Sequence, residues 1–181
     1  MSIQDLVDAA RGRPDVVVDP PNGLPAVRGG EELPAELVEF YSLCGGMTLF
    51  AGTPDEVRIH GADAFLGANE EVVGAAYPDD ISHTWYMLAR SGLERASIDC
   101  SPVRAGRCYD SFWDCHGVAG SCSIIARSFA EFLERQLAVT PAETQPRGFA
   151  LTPDGRHAIV VGERSTEVAL HRLNDDGTLP L

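Results

Sequence analysis

The chain contains no lysine: all 14 of its basic residues are arginine. That absence excludes Schiff-base chemistry and the lysine of a phosphate-binding loop. Also missing are Gly-x-Gly-x-x-Gly, Gly-x-x-x-x-Gly-Lys-Ser/Thr, Gly-x-Ser-x-Gly and His-Glu-x-x-His, so no familiar nucleotide, hydrolase or zinc-protease signature is present. Long apolar runs are missing too. The longest, such as Ala158 to Val161, are strand-sized and far short of the roughly 20 residues a membrane helix needs. The start, Met1 to Arg13, has no basic region ahead of an apolar run, so no secretory signal is expected. Cysteine is sparse, with five residues at positions 44, 100, 108, 115 and 122, an odd and scattered set that predicts reduced thiols and a cytoplasmic protein.

What is abundant is negative charge. Against 14 basic side chains stand 27 acidic ones, a formal net charge of −13 over 181 residues. Such a field repels phosphate backbones and anionic lipid surfaces and speeds encounter with a basic protein. The expected partner is therefore a basic protein, with no nucleic acid and no membrane. At 44% hydrophobic the chain can bury a core without disulfide or metal staples.

The local pattern alternates helix and strand. Ser2 caps a helix over residues 3–10 with Ile3, Leu6, Val7 and Ala10 on one face. Residues 12–30 are Pro/Gly-rich loop with one short strand at Val16–Val18. A second helix has Pro34 at its first position, Leu37, Phe40, Tyr41 and Cys44 as its apolar face, and Gly45 as its C-terminal cap. Strand-like runs follow at 47–51, 57–60, 85–89, 96–100, 107–113 and 121–126, while 63–76 has helical spacing broken by Gly67 and Gly74. A helix over 128–138 opens on a capping box of Ser128 and Glu131 and buries Phe129, Phe132, Leu133 and Leu137. Beyond Thr140, runs at 149–151, 157–161 and 168–173 predict three more strands, the first two joined by the turn Thr152-Pro153-Asp154-Gly155. They resemble one propeller blade, but with no internal repeat they read as a small antiparallel extension.

Three clusters bear on chemistry. Cys100, Cys108, Cys115 and Cys122 with His116 are spaced eight, seven and seven residues apart with no tight Cys-x-x-Cys knuckle. Packing of small apolar thiols explains them better than a metal site. Cys115 and His116 are neighbours and point apart on an extended chain, so they do not form a nucleophilic dyad. Asp99, Asp110 and Asp114 offer paired carboxylates, but solvated strand-end acids are the simpler reading. What remains is acidic surface with aromatics: Asp79-Asp80, and Phe112-Trp113 between Asp110 and Asp114, at most one of these rings being exposed unless the strand ends early. The candidate partner contacts are Glu31, Glu32, Asp79, Asp80, Asp99, Asp110, Trp113, Asp114 and His116. No catalytic, cofactor or metal residue is assigned.

Several stretches carry a family resemblance in their order. They are Leu33-Pro34 leading through Phe40-Tyr41 into Cys44-Gly45-Gly46, then Ala96-Ser97-Ile98-Asp99, then Gly106-Arg107-Cys108-Tyr109-Asp110. Gly117 to Gly120 follow, and then Ile124 to Leu133, with Ile125-Ala126-Arg127-Ser128-Phe129 opening the last helix. This order resembles the SUKH superfamily, which includes the fungal Smi/Knr cell-wall regulators and many bacterial members, over roughly residues 30–138. The resemblance implies an α+β fold with a central, mostly antiparallel sheet flanked by helices. Residues 1–140 would form that domain and 141–181 a β extension packed on it. It also implies a non-catalytic immunity protein that binds and occludes a toxin domain, a nuclease or deaminase. A regulatory scaffold of the Smi/Knr type without a toxin is the alternative, and a small metal protein or enzyme a more distant one. The chain departs from the usual pattern in lacking the first helix's Trp and Glu and in its strand-rich tail.

Overall fold

Helix α1 (Ile3–Arg11) is built by its first turn. The Asp5 amide donates to Ser2 Oγ while the Asp5 carboxylate accepts from the Ser2 amide, closing a reciprocal capping box, and Ile3, Leu6, Val7 and Ala10 are buried. The computed structural model describes residues 1–138, 146–151, 157–162 and 168–172. By contacts the chain divides into two compact units, Met1–Ala138 and Val139–Leu181.

Helix α2 (Ala35–Leu43) buries Leu37, Phe40 and Tyr41, with Cys44 buried behind it. Pro34 is its N-cap rather than its first residue, and Cys44 ends it in an extended conformation. Gly45 is therefore not the expected cap. The Gly-Gly pair serves close packing instead. A Cβ on Gly45 would lie 2.3 Å from the Pro20 carbonyl oxygen, and one on Gly46, whose φ is +114°, would lie 2.8 Å from the Ile59 oxygen. Only glycine lets the backbone pass between these segments on its way into the sheet.

The first unit holds a seven-stranded sheet in which every pairing is antiparallel and neighbours in sequence are neighbours in space. Its strands are β1 (Val16–Val18), β2 (Met47–Leu49), β3 (Val57–Ile59), β4 (Trp85–Ser91), β5 (Glu94–Asp99), β6 (Cys108–Asp110) and β7 (Ile124–Ala126). With four helices, this is the expected α+β architecture. Several strands are shorter than their apolar runs, for local reasons. β2 stops where Phe50 takes a positive φ, and β6 stops at Asp110, whose carboxylate accepts the Phe112 amide at 3.0 Å and turns the chain. β7 begins only after a turn in which the amides of Ser121 and Cys122 both reach the Val118 oxygen.

One face of the sheet packs on helices. Phe40 meets Phe129 of α4 (Phe129–Ala138) edge-on at 4.9 Å, and the chain of rings continues through Tyr41 and Phe65 to Tyr86 of β4. Burying each of these large side chains contributes about 1.5–3 kcal/mol. The capping box of α4 is half made: Ser128 Oγ accepts the Glu131 amide, but the Glu131 carboxylate takes the amide of Arg127, freed where β7 ends, instead of that of Ser128. The opposite face carries Trp85, Met87 and Tyr109, with Trp85 stacked on Tyr109 at 4.0 Å. It is covered by the short α3 (Ala68–Val72) and by Cys122 from the loop after β6.

In the second unit β8 (Pro146–Leu151), β9 (His157–Gly162) and β10 (Val168–Arg172) form an antiparallel sheet with β9 in the middle. Pro146 is tolerated because β8 is an edge strand. The turn at 152–155 and Asp176-Gly177 lie outside the described residues. Among the described residues, no helix is long and apolar enough to cross a membrane.

Candidate functional site

The loop over residues 111–123 is where the exposed aromatic and acidic residues converge, and its own chemistry holds it in place. Ser111 Oγ shares a hydrogen bond with Ser97 Oγ inside the sheet. The amides of Cys115 and His116 both donate to the Phe112 oxygen, making one helical turn. The thiols tie the loop to itself: Cys115 Sγ reaches the Phe112 oxygen at 3.3 Å, and Cys122 Sγ reaches the oxygens of Cys115 and Val118. Burial raises the pKa of both thiols, which keeps them protonated donors. Cys100 and Cys108 are buried in the core, where desolvation pushes Cys100 up to about 12. Among the described residues, no group of three or more His, Cys, Asp or Glu side chains is placed to hold a metal ion.

His116 anchors the loop. Its ring stands edge-on to Trp85, and Nε2 lies 2.8 Å from Asn69 Oδ1. Because Asn69 Nδ2 donates to the Ala76 oxygen, Oδ1 must accept, so Nε2 carries the proton. Burial lowers the His116 pKa, with Asp80 pulling the other way, so the ring is neutral near pH 7. Gly117 follows at φ +71°, and a Cβ there would lie 2.9 Å from Asp80 Oδ1 and 2.8 Å from Ser82 Oγ. This contact seats the 79–82 segment against the loop. Asp80 caps the 3₁₀ turn Ile81–Thr84: despite burial, which acts in the opposite sense, hydrogen bonds from Ser82 hold its carboxyl below the ordinary range.

Asp99 was expected to be a solvated strand-end acid and is not. It is fully buried and accepts four donors: Thr84 Oγ1 at 2.8 Å, Trp85 Nε1 at 3.1 Å, the Ser101 amide at 2.8 Å and Arg104 Nε at 2.7 Å. The reason is register. Asp99 pairs with Trp85, whose buried indole N–H needs an acceptor. Arg104 also reaches the Ile81 oxygen, so the network supports the 79–82 segment from below. Glu31 is likewise built in, with its side chain 7% exposed; it accepts from Tyr86 Oη and from the Arg28 amide. Glu32 is exposed on the adjoining turn, its amide donating to the Cys100 oxygen.

Thus Asp79, Asp80, Asp110, Trp113, Asp114 and His116 come together on two abutting segments, with His116 as an internal support. Glu31 and Glu32 stand on a different loop, and Asp99 lies beneath. The ring that is exposed is Trp113, at 70%, while Phe112 is half-buried beside it at 6.2 Å. The strand ends early, at Asp110, and still only one of the two rings is exposed. Val118, on the same loop, and Ile124, the first residue of β7, are also exposed, at 48% and 53%. Sequence reasoning did not single them out: Val118 falls in the Gly117–Gly120 turn, and Ile124 lies within the strand expected over 121–126, where an apolar residue reads as interior. Asp79, Asp80 and Asp114 are exposed and Asp110 half-buried, so the apolar surface is flanked by carboxylates.

Comparison with known proteins places this geometry in context. The sequence pattern of the family described as SMI1 / KNR4 family (SUKH-1) matches residues 29–135, which span both the Gly-Gly turn and the Trp113 loop. The chain is also 36% identical over 138 residues to Immunity protein YokJ of Bacillus subtilis (strain 168), an alignment covering 76% of this chain and 84% of that protein.

Proposed function

The chain belongs to the SMI1 / KNR4 family (SUKH-1), and from that premise we propose that it is a non-catalytic immunity protein that acts in the cytoplasm by covering a basic toxin domain. The observation that carries this reading is Trp113: a large aromatic left 70% exposed on a loop whose underside is fixed by His116, the thiols and the Asp80–Gly117 contact. An aromatic anchor on a rigid floor, rimmed by charge, is the form binding hot spots take. The similarity to a protein named as an immunity protein supports the same reading.

The mechanism is occlusion. A nuclease-type toxin holds phosphates with arginine and lysine, and Asp79, Asp80, Asp110 and Asp114 would face those cations while Trp113, Val118 and Ile124 exclude water at the centre. The net charge of −13 speeds the encounter, and the buried anchors set how long the complex lasts. The test is co-expression with the product of the gene adjacent to its own. Growth arrest by that product alone, relieved by this chain and by the recovery of a complex of the two, is the expected result. A neighbour that arrests growth equally with and without the chain overturns the proposal, and a harmless neighbour returns the chain to the scaffold reading.

A further inference from the structure

The acidic surface is not the only charged one. Register places Arg58 of β3 directly opposite Arg90 of β4, and Arg90 directly opposite Arg95 of β5. Directly paired residues on adjacent strands share a face and hold their Cβ atoms about 5 Å apart, so three guanidinium stems stand in a row across the sheet. A β-bulge between Met87 and Ala89 is what puts Arg90 there: simple alternation would send it to the helical face, but the extra residue shifts it to the face of Trp85 and Met87. Thr48, opposite Arg58, continues the row.

Like charges directly opposite one another destabilise a sheet. Arg58 is compensated by Asp19 at 2.7 Å and by Thr48 at 2.6 Å, and among the described residues the Arg95 guanidinium bonds only the nearby Leu93 oxygen. Arg90 is exposed and, among the described residues, its guanidinium makes no hydrogen bond or ion pair. Beside Arg58 and Arg90 opens a cavity of about 260 Å³, floored by Met87 and walled by His60, with Asp63 and Glu71 on its rim. His60 has its pKa lowered by burial, and Arg90 and Arg58 oppose its protonation further. The row leads towards the Trp113 loop, since the Ser111 amide donates to the Arg95 oxygen.

We propose that the Arg58–Arg90–Arg95 row and its cavity bind a short acidic segment of a protein partner, seating one carboxylate side chain between Arg58 and Arg90. The cavity is smaller than the roughly 300–1,000 Å³ of a typical small-molecule site and suits a single side chain. The two rim carboxylates decide the class of anion. They repel a polyanion, in which charges follow closely one after another, whereas a peptide carries amide N–H groups beside its carboxylates that Asp63 and Glu71 can accept. The inference deepens the proposed function, and rests on it only in that the partner is a protein. The partner would then present basic and acidic patches side by side, and the two opposite contacts would fix its register.

The test uses the full chain and a fluorescein-labelled peptide of alternating glutamate and glycine, followed by anisotropy at low salt. Its glutamine counterpart and an oligothymidylate of equal charge serve as comparisons. Saturable binding of the glutamate peptide below about 1 mM is expected, with none of the glutamine peptide. Arg90→Glu should weaken binding at least about tenfold, while Arg127→Glu, the same charge change at an exposed position off the row, should alter it less than about twofold. Arg90→Thr should also lose binding while raising Tm by about 2 °C, because relief of like-charge opposition stabilises the sheet. Equal effects of the two glutamate substitutions, or tighter binding of the oligothymidylate, overturn the proposal. So does an absence of peptide binding, which would leave protection by the Trp113 surface untouched.

Discussion

Replacing Trp113 by alanine is expected to weaken partner binding by about 2–4 kcal/mol, roughly 30- to 1,000-fold, while shifting Tm by less than about 1 °C. The two halves of that expectation have separate physical origins. Trp113 is 70% exposed in the free chain, so its truncation removes little intramolecular packing beyond its contact with Phe112. In a complex the same indole would be the largest apolar surface removed from water at the centre of the patch. The loss should fall mainly on the dissociation rate, since the long-range charge that guides encounter is unchanged. Surface plasmon resonance with the toxin domain, alongside a thermal melt of the variant, checks both. A variant that melts normally and binds normally would remove Trp113 from the interface.

The second large effect is structural. Asp99→Ala should destabilise the domain by about 3–5 kcal/mol, because it strips a common acceptor from four donors, two of them buried, and leaves the partly exposed Arg104 guanidinium without its carboxylate. Water has little access to the site, so the Trp85 indole N–H and the Ser101 amide would remain unpaired. Urea unfolding followed by tryptophan fluorescence is the measurement, and a loss below about 1 kcal/mol would mean that the network relaxes around the gap. Arg104 also supports the Ile81 carbonyl, so the variant should weaken partner binding beyond what its folded fraction explains.

The contrast between these two residues shows what could be read in advance. The first and last helices were legible because their determinants are local: the Ser2 cap with the Ile3, Leu6, Val7 face, and the Phe129, Phe132, Leu133 stripe, lie within a few residues of one another, whereas the short α3 was obscured by Gly67 and Gly74. The antiparallel α+β architecture was implied by the family resemblance, which rests on the order of several short motifs along the chain. Strand ends were not legible, since the stop of β6 depends on one side chain, Asp110, turning back on the backbone. Asp99 looked like a surface acid because nothing in its own neighbourhood announces that Trp85, fourteen residues away, will need its oxygen. Glu31 was misread for the same reason, its partner Tyr86 being fifty-five residues distant. The arginine row depends on a register and a bulge that join β3, β4 and β5, and no single segment encodes it. Trp113 and its acidic neighbours, contiguous in sequence, could be singled out, whereas Val118 and Ile124 could not.

The central claim is that this protein neutralises its partner by sitting on it, without chemistry. Titrating the toxin domain's activity with purified chain tests it most directly, with the mass of both proteins recorded before and after. The account predicts a linear fall to no activity at one equivalent, full recovery when the complex is dissociated, and no change in either mass. Loss of activity at a small fraction of an equivalent, or a covalent change in the toxin, would contradict it.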